Sequence, residues 1–272
     1  MDPTRAQRRS ISAKFAQAKA AGRIGLISFI PAGFPDLPAT AALIKALDRA
    51  GSTVIEVGFP FSDPIADGPV IQEAFVDALA RKVKIADVFA TVAGVRGDVS
   101  APIVGMLSYS IVFRYGIERF LKQAKESGFD GLILPDLPPP EIQNVCGMIR
   151  SAGLDTILLV APTTTAERRR EIVRLSSGFV YYLSVSGITG ERDSLPSDLS
   201  ENVRQIKSMT QLPVCVGFGI SQPRHVAQLK NVADGAIVGT AIVRRIKSNI
   251  AGGTDAIANA VESYAREMIA HS

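Results

Sequence analysis

Ser52-Thr53-Val54-Ile55-Glu56-Val57-Gly58-Phe59-Pro60-Phe61-Ser62-Asp63-Pro64-Ile65-Ala66-Asp67-Gly68-Pro69-Val70-Ile71-Gln72 reads in three parts. Its opening apolar run has the character of a buried strand. Pro60 and Pro64 then stiffen a loop, because proline fixes its own φ and restricts the residue before it. Pro69 suits the first position of a helix that continues to Ala80. Strand, stiff loop and helix make one βα unit, with Glu56 at the strand end and Asp67 in the loop. Two carboxylates carried into one strand-end loop point to acid–base chemistry. The plainer alternatives are a rim residue or structural ion pair for Glu56 and a turn former ahead of Gly68 for Asp67.

The same unit recurs on both sides. Before it, Ile11, Phe15 and Ala18 recur at helical spacing within an amphipathic segment over residues 3–21. A strand, Ile24 to Ile30, and a helix from Pro35 to Ala50 follow. After it come a helix over Ile85–Val95 and strands at Pro102–Leu107, Gly131–Leu134, Thr156–Val160, Phe179–Ser184, Pro213–Val216 and Gly235–Val238. The helices between them are read over Gly116–Ser127, Pro138–Ala152, Ala166–Leu175, Asp198–Met209 and Pro223–Leu229, with a last one over Asp255–Ala270. Continuous apolar strands, rather than alternating ones, mark parallel strands covered on both faces. Eight such units within 272 residues predict an α/β fold of the (β/α)8 TIM-barrel type, with an extra N-terminal helix. A doubly wound sheet is the structural alternative. Without a linker-like stretch, residues 1–272 are expected to form one domain.

Composition narrows the function. The chain is 47% hydrophobic and 21% charged, with a net charge of +4 and a pI near 9.1. That balance is too mildly basic to argue for nucleic acid, and no Lys/Arg block is interleaved with aromatics. No apolar run reaches the length of a membrane span. The cysteines, Cys146 and Cys215, lack any metal-ligand or CxxC spacing and read as reduced, buried thiols of a cytoplasmic protein. The basic N-terminus (Arg5, Arg8, Arg9, Lys14, Lys19) has no apolar region behind it, and strand-like sequence begins too soon for a transit peptide to be preferred.

Sites in this fold form at the C-terminal ends of the strands. Glu56, Asp136, Ser184, Gly187, Gly190, Gly217, Gly219, Gly239 and Thr240 all fall there. Glycines after strands six, seven and eight let backbone N–H groups approach an anion, and a helix N-terminus adds a favourable field. Phosphate is the expected ligand behind strands seven and eight; the alternative is that these glycines only make turns. No lysine lies in a strand to form a Schiff base. His225 and His271 stand far apart, without sequence partners for a zinc or iron site, and Ser62-Asp63 has no nearby histidine for a serine triad. Carboxylate acid–base chemistry on a phosphorylated small molecule, with no metal, remains.

The stretch Glu56 to Gln72 resembles the signature of the tryptophan synthase α subunit family. So do Pro135-Asp136-Leu137-Pro138, Gly187-Ile188-Thr189-Gly190, Gly217-Phe218-Gly219-Ile220-Ser221 and Gly239-Thr240-Ala241-Ile242-Val243, in order along nearly the whole chain. The resemblance implies a (β/α)8 barrel that cleaves indole-3-glycerol phosphate to indole and glyceraldehyde 3-phosphate. It places general acid–base work on Glu56 and charge stabilisation at the indole nitrogen on Asp67. Phe29, Ile71, Met106 and Tyr181 match positions lining the indole site. Gly190, Gly219, Gly239 and Thr240 match phosphate binders, Thr240 keeping the hydroxyl of a serine common there. The implied partner is a tryptophan synthase β subunit in an α2β2 heterotetramer. Pyridoxal phosphate is expected in that partner only, with no cofactor in this chain.

The chemistry agrees with those roles. Breaking the C–C bond requires protonation of the indole C3, which develops positive charge at the ring nitrogen; a fixed carboxylate stabilises it. Apolar neighbours Val54, Ile55, Val57 and Phe59 are expected to raise the Glu56 pKa towards a useful value. The chain departs from the family at Ser110, where many relatives carry asparagine, and at Val185, where some carry arginine. The long polar loop after strand six, Ser186 to Pro196, is expected to close over the mouth and bring Thr189 towards Asp67. The competing readings are a stand-alone lyase releasing free indole, a weakly active barrel that mainly activates its β partner, and a different phosphosugar barrel.

Overall fold

The computed structural model describes residues 10–62, 68–184, 198–217 and 219–272. The chain runs α1 Ile11–Ala20, β1 Gly25–Pro31, α2 Leu37–Ala50, β2 Val54–Gly58, α3 Pro69–Ala80, α4 Ile85–Arg96, β3 Ile103–Met106, α5 Tyr109–Tyr115, α6 Ile117–Ser127 and β4 Gly131–Ile133. It continues α7 Ile142–Ser151, β5 Asp155–Val160, α8 Ala166–Leu175, β6 Val180–Leu183, α9 Leu199–Lys207, β7 Val214–Gly217, α10 Pro223–Leu229, β8 Gly235–Val238, α11 Thr240–Ser248 and α12 Gly253–Ala270. The eight strands pair in chain order, all parallel, and β8 closes back on β1 with Gly25 opposite Gly235 and Ser28 opposite Val238. This is the expected (β/α)8 barrel.

Local chemistry explains the element ends. Asp36 caps α2 by accepting the Ala39 N–H at 2.7 Å, and Gly51 ends it in the left-handed region at φ 95°. Pro69 opens α3 as the sequence predicts. The helix expected from Pro138 starts instead at Ile142, because Pro138, Pro139 and Pro140 supply no amide hydrogens and disfavour helical backbone before each ring. The helix expected over residues 3–21 is described from Ile11 onward, residues 1–9 lying outside the described part. Helix α5 is an element the periodicity did not announce.

Side chains from every strand fill the barrel. Ile27, Val54, Val104, Ile133, Ile157, Tyr181, Cys215 and Ile237 form one buried cluster, which Ile11 and Phe15 of α1 plug from the N-terminal end. The Phe15 and Phe179 rings lie 5.9 Å apart. Glycine is required beneath the plug: a Cβ on Gly25 would sit 2.5 Å from the Phe15 ring, and one on Gly235 2.8 Å from Cys215 Sγ. A second, larger apolar cluster packs the outer faces of the strands against the helices. Aspartates tie this lower end together. Asp130 accepts the Ile103 N–H at 2.8 Å, Asp234 that of Val214 at 3.0 Å, and Asp48 that of Ala101 at 2.7 Å.

Candidate active site

Glu56 is the third residue of β2, paired with Phe29 on β1 and Val104 on β3. Alternation along a strand puts it on the face shared with Val54, which packs inside the barrel. Its side chain points into the barrel and is only 1% exposed.

Phe29 and Tyr181 are each admitted by a glycine on a neighbouring strand. Phe29 lies over Gly58, where a Cβ would fall 2.6 Å from the ring, and against Gly239, where the gap would be 3.3 Å. It also meets Phe75 edge-on at 6.4 Å. Tyr181, on β6 between Leu159 and Cys215, lies over Gly217; a Cβ there would come within 2.6 Å of the phenol oxygen. Gly217 therefore makes room for a ring, a role distinct from the anion-binding one expected of the glycines here. Ile71 is buried on α3. Met106 ends β3, half-buried, opposite Gly58 and Ile133. Phe29, Glu56, Met106 and Tyr181 thus come from four strands of one barrel.

Beside them, the loop after β7 turns through Gly219 at φ 83°, a left-handed conformation that glycine adopts without steric cost. Gly239 is the N-cap of α11 and Thr240 its first residue, so the Thr240 and Ala241 N–H groups have no carbonyl partner inside the helix, whereas those of Ile242 and Val243 already donate to the Gly239 carbonyl. These features suit an anion. Asp67, Val185, Gly187, Thr189 and Gly190, together with the loop Ser186 to Pro196, lie outside the described residues.

Asp136 has a different task. Its carboxylate accepts the Ser108 hydroxyl at 2.5 Å and the Tyr109 N–H at 2.6 Å, and Ser110 shares a hydrogen bond with Ser108 at 2.7 Å. It caps α5 and fixes the loop that follows Met106, and Ser110 is absorbed into that cap. His225 is not isolated either: its Nδ1 accepts the Ser221 N–H at 3.3 Å. Burial, with Asp234 adding to it, pushes the Cys215 thiol well above its ordinary value, which marks an inert core thiol. Among the described residues, no three His, Cys, Asp or Glu side chains are grouped to hold a metal ion, and no helix is long and apolar enough to cross a membrane.

The chain matches the family model described as tryptophan synthase alpha chain over residues 15–271. The tryptophan synthase alpha chain of Picosynechococcus sp. is 45% identical over 263 residues, spanning 96% of this chain and 99% of that one. That of Rhodopirellula baltica is 43% identical, spanning 93% and 92%. Among solved structures, tryptophan synthase of Mycobacterium tuberculosis superposes with a TM-score of 0.87 at 35% identity, spanning 97% of this chain and 98% of that one. The barrel, its mouth and the matched length agree, and the chain belongs to the tryptophan synthase α chain family.

Proposed function

We propose that the mouth of this barrel cleaves indole-3-glycerol phosphate to indole and glyceraldehyde 3-phosphate, with Glu56 moving the protons. The observation that carries this reading is a carboxyl almost wholly out of water in the middle of β2, on the face that lines the barrel and opposite Phe29 of β1. As a carboxylic acid it can deliver a proton to indole C3. That protonation leaves positive charge at the ring nitrogen, where Asp67 stabilises it. The Glu56 carboxylate then takes the proton of the glycerol hydroxyl next to the ring. The C–C bond breaks, its electrons return to the ring, and the hydroxyl carbon leaves as the aldehyde. One proton is given and one taken, so Glu56 ends as it began.

Phe29, Ile71, Met106 and Tyr181 supply the apolar walls for the indole, and Thr189 is assigned to the same substrate. Gly219, Gly239, Thr240 and Gly190 hold the phosphate through backbone N–H groups and the field of α11. A β subunit in an α2β2 assembly consumes the indole, and the pyridoxal phosphate of that second step belongs to it. The two free, buried thiols fit the reducing cytoplasm. Incubating the purified chain with indole-3-glycerol phosphate, with and without a β subunit, tests the proposal. Indole must appear together with glyceraldehyde 3-phosphate; absence of both in either mixture would refute it.

A further inference from the structure

Ser221 stands two residues beyond Gly219, and both of its backbone polar groups are held by side chains from elsewhere. Its N–H donates to His225 Nδ1 on α10 at 3.3 Å, and its carbonyl accepts the Tyr264 hydroxyl of α12 at 2.9 Å. All three residues are buried, His225 at 1% and Tyr264 at 3% exposure. A backbone amide can only donate, so Nδ1 is the acceptor and the neutral ring carries its proton on Nε2. Among the described residues that Nε2 has no hydrogen-bond partner. A buried donor left unsatisfied has a cost, so what the ring contributes at this position is the bond its Nδ1 accepts from Ser221.

Tyr264 also reaches the other wall. The Arg245 guanidinium of α11 stacks on its ring with 3.5 Å between the guanidinium carbon and the ring centroid. Arg245 in turn donates to the Ala241 carbonyl at 3.0 Å, in the first turn of α11 directly after Thr240. One side chain thus grips the loop after β7 with its hydroxyl and the helix after β8 with its ring. These are the two walls assigned above to the phosphate.

We infer that Tyr264 is a positioning residue that sets the spacing of the phosphate cup from behind, with His225 as a second hold on the same loop. The inference rests on the phosphate reading of Gly219, Gly239 and Thr240. Neither residue touches the reacting atoms, so the effect belongs in binding of the phosphate end and not in the chemical step.

Tyr264→Phe keeps the ring and its stacking and removes only the hydroxyl. Losing one hydrogen bond of ordinary worth should weaken glycerol 3-phosphate binding about three- to tenfold and raise KM for indole-3-glycerol phosphate alike. Saturated kcat and the Kd of phosphate-free indole should stay within about twofold. His225→Asn, whose Oδ1 can replace Nδ1 as acceptor, should retain phosphate binding; His225→Leu should lose it as Tyr264→Phe does. Calorimetry on the four proteins, with thermal melts to verify folding, decides. Equal affinity in parent and Tyr264→Phe, or equal weakening for indole and glycerol phosphate, would overturn the clamp. Failure of the parent itself to bind glycerol 3-phosphate would overturn the phosphate reading, and the clamp with it.

Discussion

At the scale of single residues, the site depends on one buried acid and on glycines that give rings somewhere to lie. Glu56→Gln preserves the shape of the side chain at β2 but cannot pass a proton. Loss of a general acid–base group should lower kcat by about 10²–10⁴-fold, while glycerol 3-phosphate binding stays near the parent value. Indole release above about a tenth of the parent rate, equivalent to about 1.4 kcal/mol of barrier, would remove Glu56 from the mechanism. Gly217→Ala probes the rings. Its Cβ would land 2.6 Å from the Tyr181 oxygen, and forcing a methyl into a filled space costs about 1–3 kcal/mol. Melting should show that loss in the parent and much less of it in a Tyr181→Leu background, where the ring is gone. An unchanged penalty in the double variant would mean that the ring is not the obstacle. Glu56 was legible in the sequence because a charged residue in an apolar run stands out, but β2 continues through Val57 to Gly58, so it sits in mid-strand and not at the strand end expected of it. The service of Gly58 and Gly217 was not, because which ring leans on which neighbouring strand is settled only by register. Nor did any spacing in the chain connect Tyr264 or His225 with Ser221.

At the scale of elements, the two ends of the barrel divide the labour. The lower end is stapled by Asp48, Asp130 and Asp234 and plugged by α1; the upper end carries the site, as the fold dictates. Phe15 lies at the lower end, against Phe179 and over Gly25 and Gly235. Phe15→Ala should open a cavity and cost about 3–5 kcal/mol. The loss should appear in a denaturant midpoint, while kcat at a temperature where the variant is folded stays near the parent value. A fall in kcat in a fully folded variant would show that the plug governs the site. The strands were readable because parallel strands covered on both faces must be apolar throughout. Helix α5 is hard to read from periodicity because it spans only Tyr109–Tyr115, two turns whose start is shared between the local cap Ser108 and the carboxylate of Asp136 from a different βα unit. Helix α7 starts at Ile142, later than its helical pattern suggests, because each ring of the Pro138–Pro140 run disfavours helical backbone in the residue before it.

At the scale of the whole molecule, the barrel must close, and the seam between β1 and β8 is backed on the outside by α12 lying against α2. Glu262 of α12 is bonded on both oxygens. Oε2 accepts from Arg49 of α2 at 2.7 Å, and Oε1 from Arg266 at 2.7 Å. The Arg266 hydrogen bond, with further help from Arg49, holds the Glu262 carboxyl below its ordinary value of 4.5, against some opposition from burial. A folded value below the unfolded one means that the stabilisation is present above the ordinary value and is lost as pH falls through the folded one. Asp155, at the start of β5, has the opposite sign. Burial raises it above its ordinary value of 3.8, only partly offset by the Ser177 hydroxyl and by Lys125. Its contribution is fully present below that value and is lost as pH rises through the folded one, so near neutrality its charge costs stability. Urea melts across this range should therefore separate two variants that each remove one carboxylate. Glu262→Gln should cost about 0.5–1 kcal/mol near neutral pH, and the cost should vanish once the parent carboxyl is protonated. Asp155→Asn should raise stability near neutral pH, and that gain should fade in the same acid range. If both variants shift the same way near neutrality, the opposed settings of the two carboxyls are wrong. If Glu262→Gln costs as much in acid as at neutral pH, the arginine pair acts through packing of its stems and not through charge.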